Sequence, residues 1–357
     1  MRAQEGHSHA RYRAAAAIAG VAAAGSLAVT AMPAHAAPAA WKATAVINVG
    51  AGAGVMAEDM RTGTVWVTNY QSDTVSVIDE RTRKVTAVIP VGADPDAIAA
   101  DPRTGLVFVV DGGADYGQAG DVGTVTALSD RTRKALGTVT VGPSPDGIAV
   151  DGGSVFVSDG NFGAPGGFES PADGFVSVVS ERTGLVTSTF DGGPGPGPIA
   201  AAGGRLWVAD EGSVEGGSVS ELSEKTGAVL GGFSPGFATG ALVADPADRT
   251  VYAGSVDDNA GGGAVITGVG EATGKVTGTI PILDGSDPWP IAVDPGAGRL
   301  FALGGGGQLS VVGLKAGAVT ATVPAGNGAD GIAVDPCSGD VYVADGIKGT
   351  VTVYRQG

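Results

Sequence analysis

Cysteine and histidine are nearly absent from this chain, and positive charge is scarce. The single cysteine, Cys337, excludes an internal disulfide framework and a cysteine-ligated zinc site. The three histidines, His7, His9 and His35, all fall within the first 36 residues. Lys and Arg number 21 against 37 Asp and Glu, a net charge of −16 over 357 residues, which argues against nucleic acid as a partner. No stretch after residue 36 carries a convincing 3.6-residue period, so amphipathic helices are not expected. Glycine is in excess, at 63 residues beside a hydrophobic content of 43 %, and this combination points to many tight turns around an ample core rather than to disorder.

The first 36 residues are of a different kind. Arg2, Arg11 and Arg13 precede an Ala-rich apolar run from Ala14 to Met32, and Ala34-His35-Ala36 offers a small-x-small cleavage pattern. This predicts a secretion signal over residues 1–36 and a mature chain over 37–357, secreted and either extracellular or associated with the cell wall, with no membrane association once the signal is removed. The apolar run is short and rich in Ala and Gly for a membrane span. Cleavage takes the net charge from −16 to −18 and removes every histidine. Ser/His/Asp and Cys/His catalysis, His-ligated metals and a histidine proton shuttle are then closed. Cys337 sits in the turn Asp335-Pro-Cys-Ser-Gly339 without a histidine partner. The reading therefore leans away from an enzyme.

One repeat fills the rest of the chain. Gly92-Ala-Asp-Pro-Asp-Ala-Ile-Ala-Ala-Asp101 recurs as Gly142-Pro-Ser-Pro-Asp-Gly-Ile-Ala-Val-Asp151, as Gly285-Ser-Asp-Pro-Trp-Pro-Ile-Ala-Val-Asp294 and as Gly326-Asn-Gly-Ala-Asp-Gly-Ile-Ala-Val-Asp335, with weaker copies from Gly50, Gly193 and Gly236. The seven starts lie 41 to 51 residues apart, the length of a propeller blade. Each unit reads as four short strands: the Ile-Ala-Val strand, an Asp-Pro-x-Thr-Gly turn, an apolar run such as Val107-Phe-Val-Val110, then two alternating segments such as Thr74–Ile78 and Val85–Val91. Continuous apolarity predicts that strand two is buried on both faces, whereas alternation predicts that strands three and four each bury one. The last unit ends after its third strand, and Thr44-Ala-Val-Ile-Asn-Val49 at the start matches a fourth. The expected fold is an all-β, seven-bladed β-propeller of four-stranded blades forming a single domain, closed by the N-terminal strand completing the last blade, which leaves no open sheet edge.

Val65-Trp-Val-Thr-Asn69 followed by Asp73-Thr-Val-Ser-Val-Ile-Asp79 resembles the YVTN repeat of YncE-like seven-bladed β-propellers, with Trp66 where that motif has Tyr. The resemblance covers about residues 44 to 357. It implies the propeller architecture, and related propellers include surface and binding proteins, lactonases and a streptogramin-type lyase.

Stacking the repeats brings corresponding positions into rings about the axis. The residue two before the strand-one Ile gives Gly54, Asp96, Asp146, Gly197, Gly240, Trp289 and Asp330, expected at the channel mouth. The end of strand two gives Asn69, Asp111, Asp159, Asp210, Ser255, Gly304 and Asp345, and the Asn and four Asp of this second ring join Asp96, Asp146, Asp330, Trp289, Tyr70 and Tyr116 as ligand-binding candidates. Converging carboxylates raise one another's pKa unless a cation neutralises them, and all-oxygen donors suit Ca²⁺, so Asp96, Asp146 and Asp330 are the candidate metal ligands. A bland alternative is that each strand-end Asp accepts hydrogen bonds from its own turn. Tyr70, Tyr116, Phe162, Phe168 and Trp289 are expected on the same face, where aromatics beside acids suit a small molecule, glycan or protein ligand. Trp66 and Trp207 read as core. Gly326-Asn-Gly-Ala-Asp-Gly331 satisfies a dinucleotide fingerprint but leads into a strand rather than a helix. The leading expectation is a secreted, monomeric ligand-binding or interaction scaffold with no catalytic residue. The alternative is a metal-dependent lactonase or lyase using the channel-mouth carboxylates.

Overall fold

A computed structural model describes residues 40–113, 122–160, 173–210, 217–236, 238–257, 263–282, 288–304 and 306–357. The expected signal segment lies outside these residues, as do Tyr116, Phe162 and Phe168. Among the described residues no helix is long and apolar enough to cross a membrane. Among the described residues 28 strands form seven four-stranded antiparallel sheets, and the innermost strand of each is the first strand of a repeat, reading Ile-Ala-Val in blades three, six and seven. These first strands are β2 (Ala53–Asp59), β6 (Pro95–Asp101), β10 (Pro145–Asp151), β14 (Pro196–Ala202), β18 (Ala238–Asp245), β22 (Pro288–Asp294) and β26 (Ala329–Asp335). Each touches the next and β26 touches β2, so they form a closed inner ring, with blades one to seven numbered from β2.

Closure follows the sequence argument. β1 (Trp41–Asn48) pairs antiparallel with β28 (Thr350–Gln356), making sheet order β1-β28-β27-β26, where β27 is Asp340–Asp345. The strand begins three residues earlier than the expected Thr44. Trp41 accounts for the extension: its ring packs edge-on against Phe301 of blade six at 5.3 Å, anchoring the start of the strand.

Blade packing rests on one aromatic per strand two. Trp66, Phe108, Phe156, Trp207, Tyr252, Phe301 and Tyr342 are all buried, and each joins a cluster with apolar side chains of the following blade. Burying such a ring contributes about 1.5–3 kcal/mol per blade. Strand two is buried on both faces, as its composition predicts. Strand three departs from the one-face expectation: Thr74–Asp79 and Gln308–Gly313 are buried through their interiors. Its alternating residues are small hydroxyls, Ser76, Thr126, Ser177 and Ser310, which fit between closely spaced sheets. Polar alternation here marks hydrogen-bonding partners in a packed interface rather than solvent. Only the outermost fourth strand is broadly exposed, as in Lys134–Thr140.

The inner ring is narrow enough to demand glycine. A Cβ on Gly331 of β26 would stand 2.0 Å from the Gly54 carbonyl oxygen of β2, so no side chain fits there.

Candidate functional site at the channel mouth

A β-bulge recurs at the start of strand one in all seven blades. The pairing with strand two shifts between Ala53 and Met56, Pro95 and Ala97, Pro145 and Gly147, Pro196 and Ile199, Thr239 and Ala241, Pro288 and Ile291, and Ala329 and Gly331. The bulged residues include Gly54, Asp96, Asp146, Gly197, Gly240, Trp289 and Asp330, the ring inferred from the repeats. A bulge leaves its extra residue outside the ladder and re-aims its side chain, and such devices concentrate at barrel rims and active sites. Asp96 and Asp146 are half-buried, whereas Asp330 is exposed. Asp94 and Ser144, two residues before the bulged acids of blades two and three, hold positive φ angles of 54° and 50°. For residues bearing a Cβ this left-handed backbone is strained, and strain of this kind gathers at functional sites.

The aromatics take distinct positions on the same rim. Trp289 is 43 % exposed, and its ring lies against the backbone of Gly240 in blade five, where any Cβ would stand 2.6 Å from the indole. The Tyr70 ring lies over Gly52, where a Cβ would stand 2.9 Å from it, and its hydroxyl accepts a hydrogen bond from Gln71 Nε2 at 3.2 Å. The mouth thus has acids on blades seven, two and three and an exposed indole on blade six.

The second predicted ring is tied into the blades by hydrogen bonds. Asn69, Asp111, Asp159, Asp210 and Asp345 are buried at the ends of their strands. Asn69 Oδ1 accepts the Gly50 N–H at 2.9 Å, while its Nδ2 donates to Thr74 and Ser76 at 3.1 and 3.0 Å. Asp111 accepts from Thr124 and Thr126 at 3.2 and 2.6 Å, Asp159 from Ser177 at 2.6 Å and Asp210 from Ser218 at 3.1 Å. Asp345 accepts the Lys348 N–H at 3.0 Å and pairs with its ammonium. Burial raises Asp111 to about 6 against the pull of Thr126, Thr124 and the Gly92 N–H. Asp159 rises to about 7, chiefly through burial, against Ser177 and the Gly142 N–H. At Asn69, Asp111 and Asp159 the side chain clamps the entry to strand one onto strand three rather than bonding its own turn, while Asp345 does bond its own turn through the Lys348 N–H. The clamp also explains why the first three repeats open with glycine, since a Cβ on Gly50, Gly92 or Gly142 would stand 2.5–2.6 Å from Asn69, Asp111 or Asp159.

Neither a scan of protein families nor a search of curated proteins finds a match. Among solved structures, the Kuenenia stuttgartiensis hydrazine synthase is similar, with a TM-score of 0.71 and 18 % identity over 85 % of this chain and 95 % of that one. The likeness is one of fold. At that identity it confirms a seven-bladed β-propeller and carries no residue role across.

The predicted metal ligands Asp96, Asp146 and Asp330 stand on blades two, three and seven. Blade one, with Gly54, separates Asp330 on blade seven from Asp96 on blade two. Among the described residues, the three carboxylates whose oxygens come within 4.8 Å of one another are Glu58, Glu80 and Asp335, at the far end of the strands. Burial pushes Glu58 up to about 8, aided by Glu80, Asp335 and Asp59, and raises Glu80 to about 7, aided first by Asp335. Sequence reasoning missed this group. The signal was nevertheless present: Glu58 stands where the other six blades have Ala100, Val150, Ala201, Ala244, Val293 and Val334.

A shallow cleft of about 330 Å³ also lies among the outer strands, lined by Trp41, Arg299, Val311, Lys315, Thr320 and Gln356. It is remote from the mouth. We favour the mouth because re-aimed carboxylates and an exposed indole meet there.

Proposed function

We propose that this chain is an exported ligand-binding propeller whose site is the channel mouth, with Trp289 as a stacking surface and Asp96, Asp146 and Asp330 as polar or charge-complementary contacts. The observation that carries the reading is the sevenfold bulge, which turns Trp289 and the three acids out of the ladder onto one rim. An indole beside carboxylates suits a sugar, a peptide or a basic small molecule. Gly240 leaves room for the Trp289 ring itself. A metal-dependent lactonase or lyase is the second reading, and it would need three mouth oxygens drawn onto one ion. The basic, apolar and small-residue pattern of residues 1–36 supports export, and the mature chain would act outside the cell or at the wall.

The test is a glycan, peptide and small-molecule screen read by tryptophan fluorescence and calorimetry. A hit should lose at least tenfold in affinity on Trp289→Ala and on Asp96→Asn with Asp146→Asn, while Trp41→Phe leaves it unchanged. Hits indifferent to all three mouth substitutions would place the site elsewhere.

A further inference from the structure

The first residue of the outer hairpin is acidic in five blades: Glu80, Asp130, Glu181, Glu224 and Glu271. In most cases it faces the strand-one turn of the preceding blade, where its partner varies. Asp130 of blade two pairs with Arg61 of blade one. Glu181 meets Asp101 of blade two, and Glu224 meets Asp151 of blade three. At the seam joining blade seven to blade one, Glu80 meets Asp335, and Glu58 adds a third carboxylate from β2.

Among the described residues no cation forms an ion pair with these three, although Arg355 acts on Asp335 at longer range. The two arginines at the seam are engaged elsewhere: Arg83 reaches across from blade one to Asp340 at 2.8 Å, and Arg355 donates to the same carboxylate at 2.7 Å. Among the described residues no ion pair involves Glu58, Glu80 or Asp335. Asp335 already caps its own turn, accepting the Cys337 N–H at 2.7 Å, and keeps lone pairs for a further partner.

A second, separate observation comes from the aromatic wedge of blade seven. Tyr342 is 0 % exposed and its hydroxyl has no hydrogen-bond partner. The charged groups acting on that phenol are led by Glu80, Asp340 and Asp335. The comparable Tyr252 of blade five satisfies its hydroxyl on Asp248 at 2.7 Å. Three blades use Phe at this position and have no such need. A fully buried hydroxyl without a partner is costly, and two of the three converging carboxylates, Glu80 and Asp335, act on this one, so the arrangement calls for an occupant.

We propose that Glu58, Glu80 and Asp335 bind a Ca²⁺ ion at the seam between blades seven and one, with the Tyr342 hydroxyl contacting the ion's hydration shell. Hard carboxylate oxygens from three separate elements suit Ca²⁺, which fills the rest of its roughly six to eight positions with water. The ion would tie β2 and its outer hairpin to β26, at the seam that the N-terminal strand closes. This site is at the opposite end of the strands from the mouth and stands independently of the function proposed there.

The experiment compares melting of the purified chain in EGTA and in 1 mM CaCl₂, with calorimetric titration of Ca²⁺ and tyrosine-excited emission from Tb³⁺ as a stand-in. Wild type should gain several degrees with Ca²⁺. Glu58→Ala, which installs the residue used at that position in other blades, should melt higher than wild type in EGTA and bind Ca²⁺ at least tenfold more weakly. Tyr342→Phe should retain most Ca²⁺ binding while Tb³⁺ emission falls by more than half. The Asp96→Asn, Asp146→Asn double variant should keep the full Ca²⁺ response. Should Glu58→Ala fail to fold, Glu80→Gln serves in its place. Absence of Ca²⁺ binding in wild type, binding that survives loss of the seam carboxylates, or binding abolished by the mouth variant overturns the proposal.

Discussion

Replacing Asp159 by Asn should make the propeller more stable, and increasingly so as the pH rises. Asp159 is fully buried at the end of strand two in blade three, where it accepts from Ser177 at 2.6 Å. Burial lifts its pKa from 3.8 to about 7. The sign follows from proton counting. Between these two values the folded chain holds a proton that the unfolded chain has released, so stability falls as the pH climbs through that window and the penalty is complete above about pH 7. At about 1.36 kcal/mol per pH unit, a window of roughly three units caps the penalty near 4 kcal/mol. Asn cannot ionise, keeps one accepting oxygen for Ser177 or Gly142, and already occupies this position as Asn69 in blade one. For a ring of roughly 320 residues at about 2.1 cal/mol/K each, 1 kcal/mol corresponds to about 1.5 °C. Thermal melts at pH 4.5 and pH 8 should therefore show the difference between Asp159→Asn and wild type widening by about 3–6 °C at the higher pH. Asp159→Ala, which strands the hydroxyl and amide donors, should cost about 1–3 kcal/mol at acid pH. A difference between Asn and Asp that is the same at both pH values would refute the argument.

Other consequences can be checked by the same melts or by urea titration. Trp41→Ala, removing a ring only 8 % exposed, should cost about 3–5 kcal/mol, whereas Val46→Ala on the same strand, 65 % exposed, should stay within about 0.5 kcal/mol; equal effects would show that β1 does not close the ring. Gly331→Ala should destabilise strongly, because its Cβ meets the Gly54 carbonyl, while Gly137→Ala, with open space around it in an exposed strand, should be neutral or gain up to about 1 kcal/mol. Tyr252→Phe should lose about 1 kcal/mol with its 2.7 Å bond to Asp248, and Tyr342→Phe, whose hydroxyl has no protein partner, should not lose stability in EGTA.

The sequence by itself determined the architecture. Seven copies of one segment at blade spacing, a missing fourth strand at the end and a spare one at the start leave little topological freedom, because each unit can bury its apolar faces only against identical neighbours. Counting back from the strand-one Ile also located the mouth ring, since a bulge repeated in every blade keeps the repeats in register. Three matters were decided only by the tertiary structure. Burial on both faces of strand three was hidden because Ser76, Thr126 and Ser177 read as solvent-facing until Asn69, Asp111 and Asp159 are seen to bond them. The division of the acids between rim and clamp was also hidden, since a strand-end Asp has the same letter whether it faces solvent or its own turn. The meeting of Glu58, Glu80 and Asp335 could not be read from local spacing at all. These residues lie on two blades at opposite ends of the chain, and only closure of the ring brings their oxygens within 4.8 Å. Local pattern dictates a blade, because its contacts are near in sequence; the chemistry between the first blade and the last arises from contacts that exist only after the circle is complete.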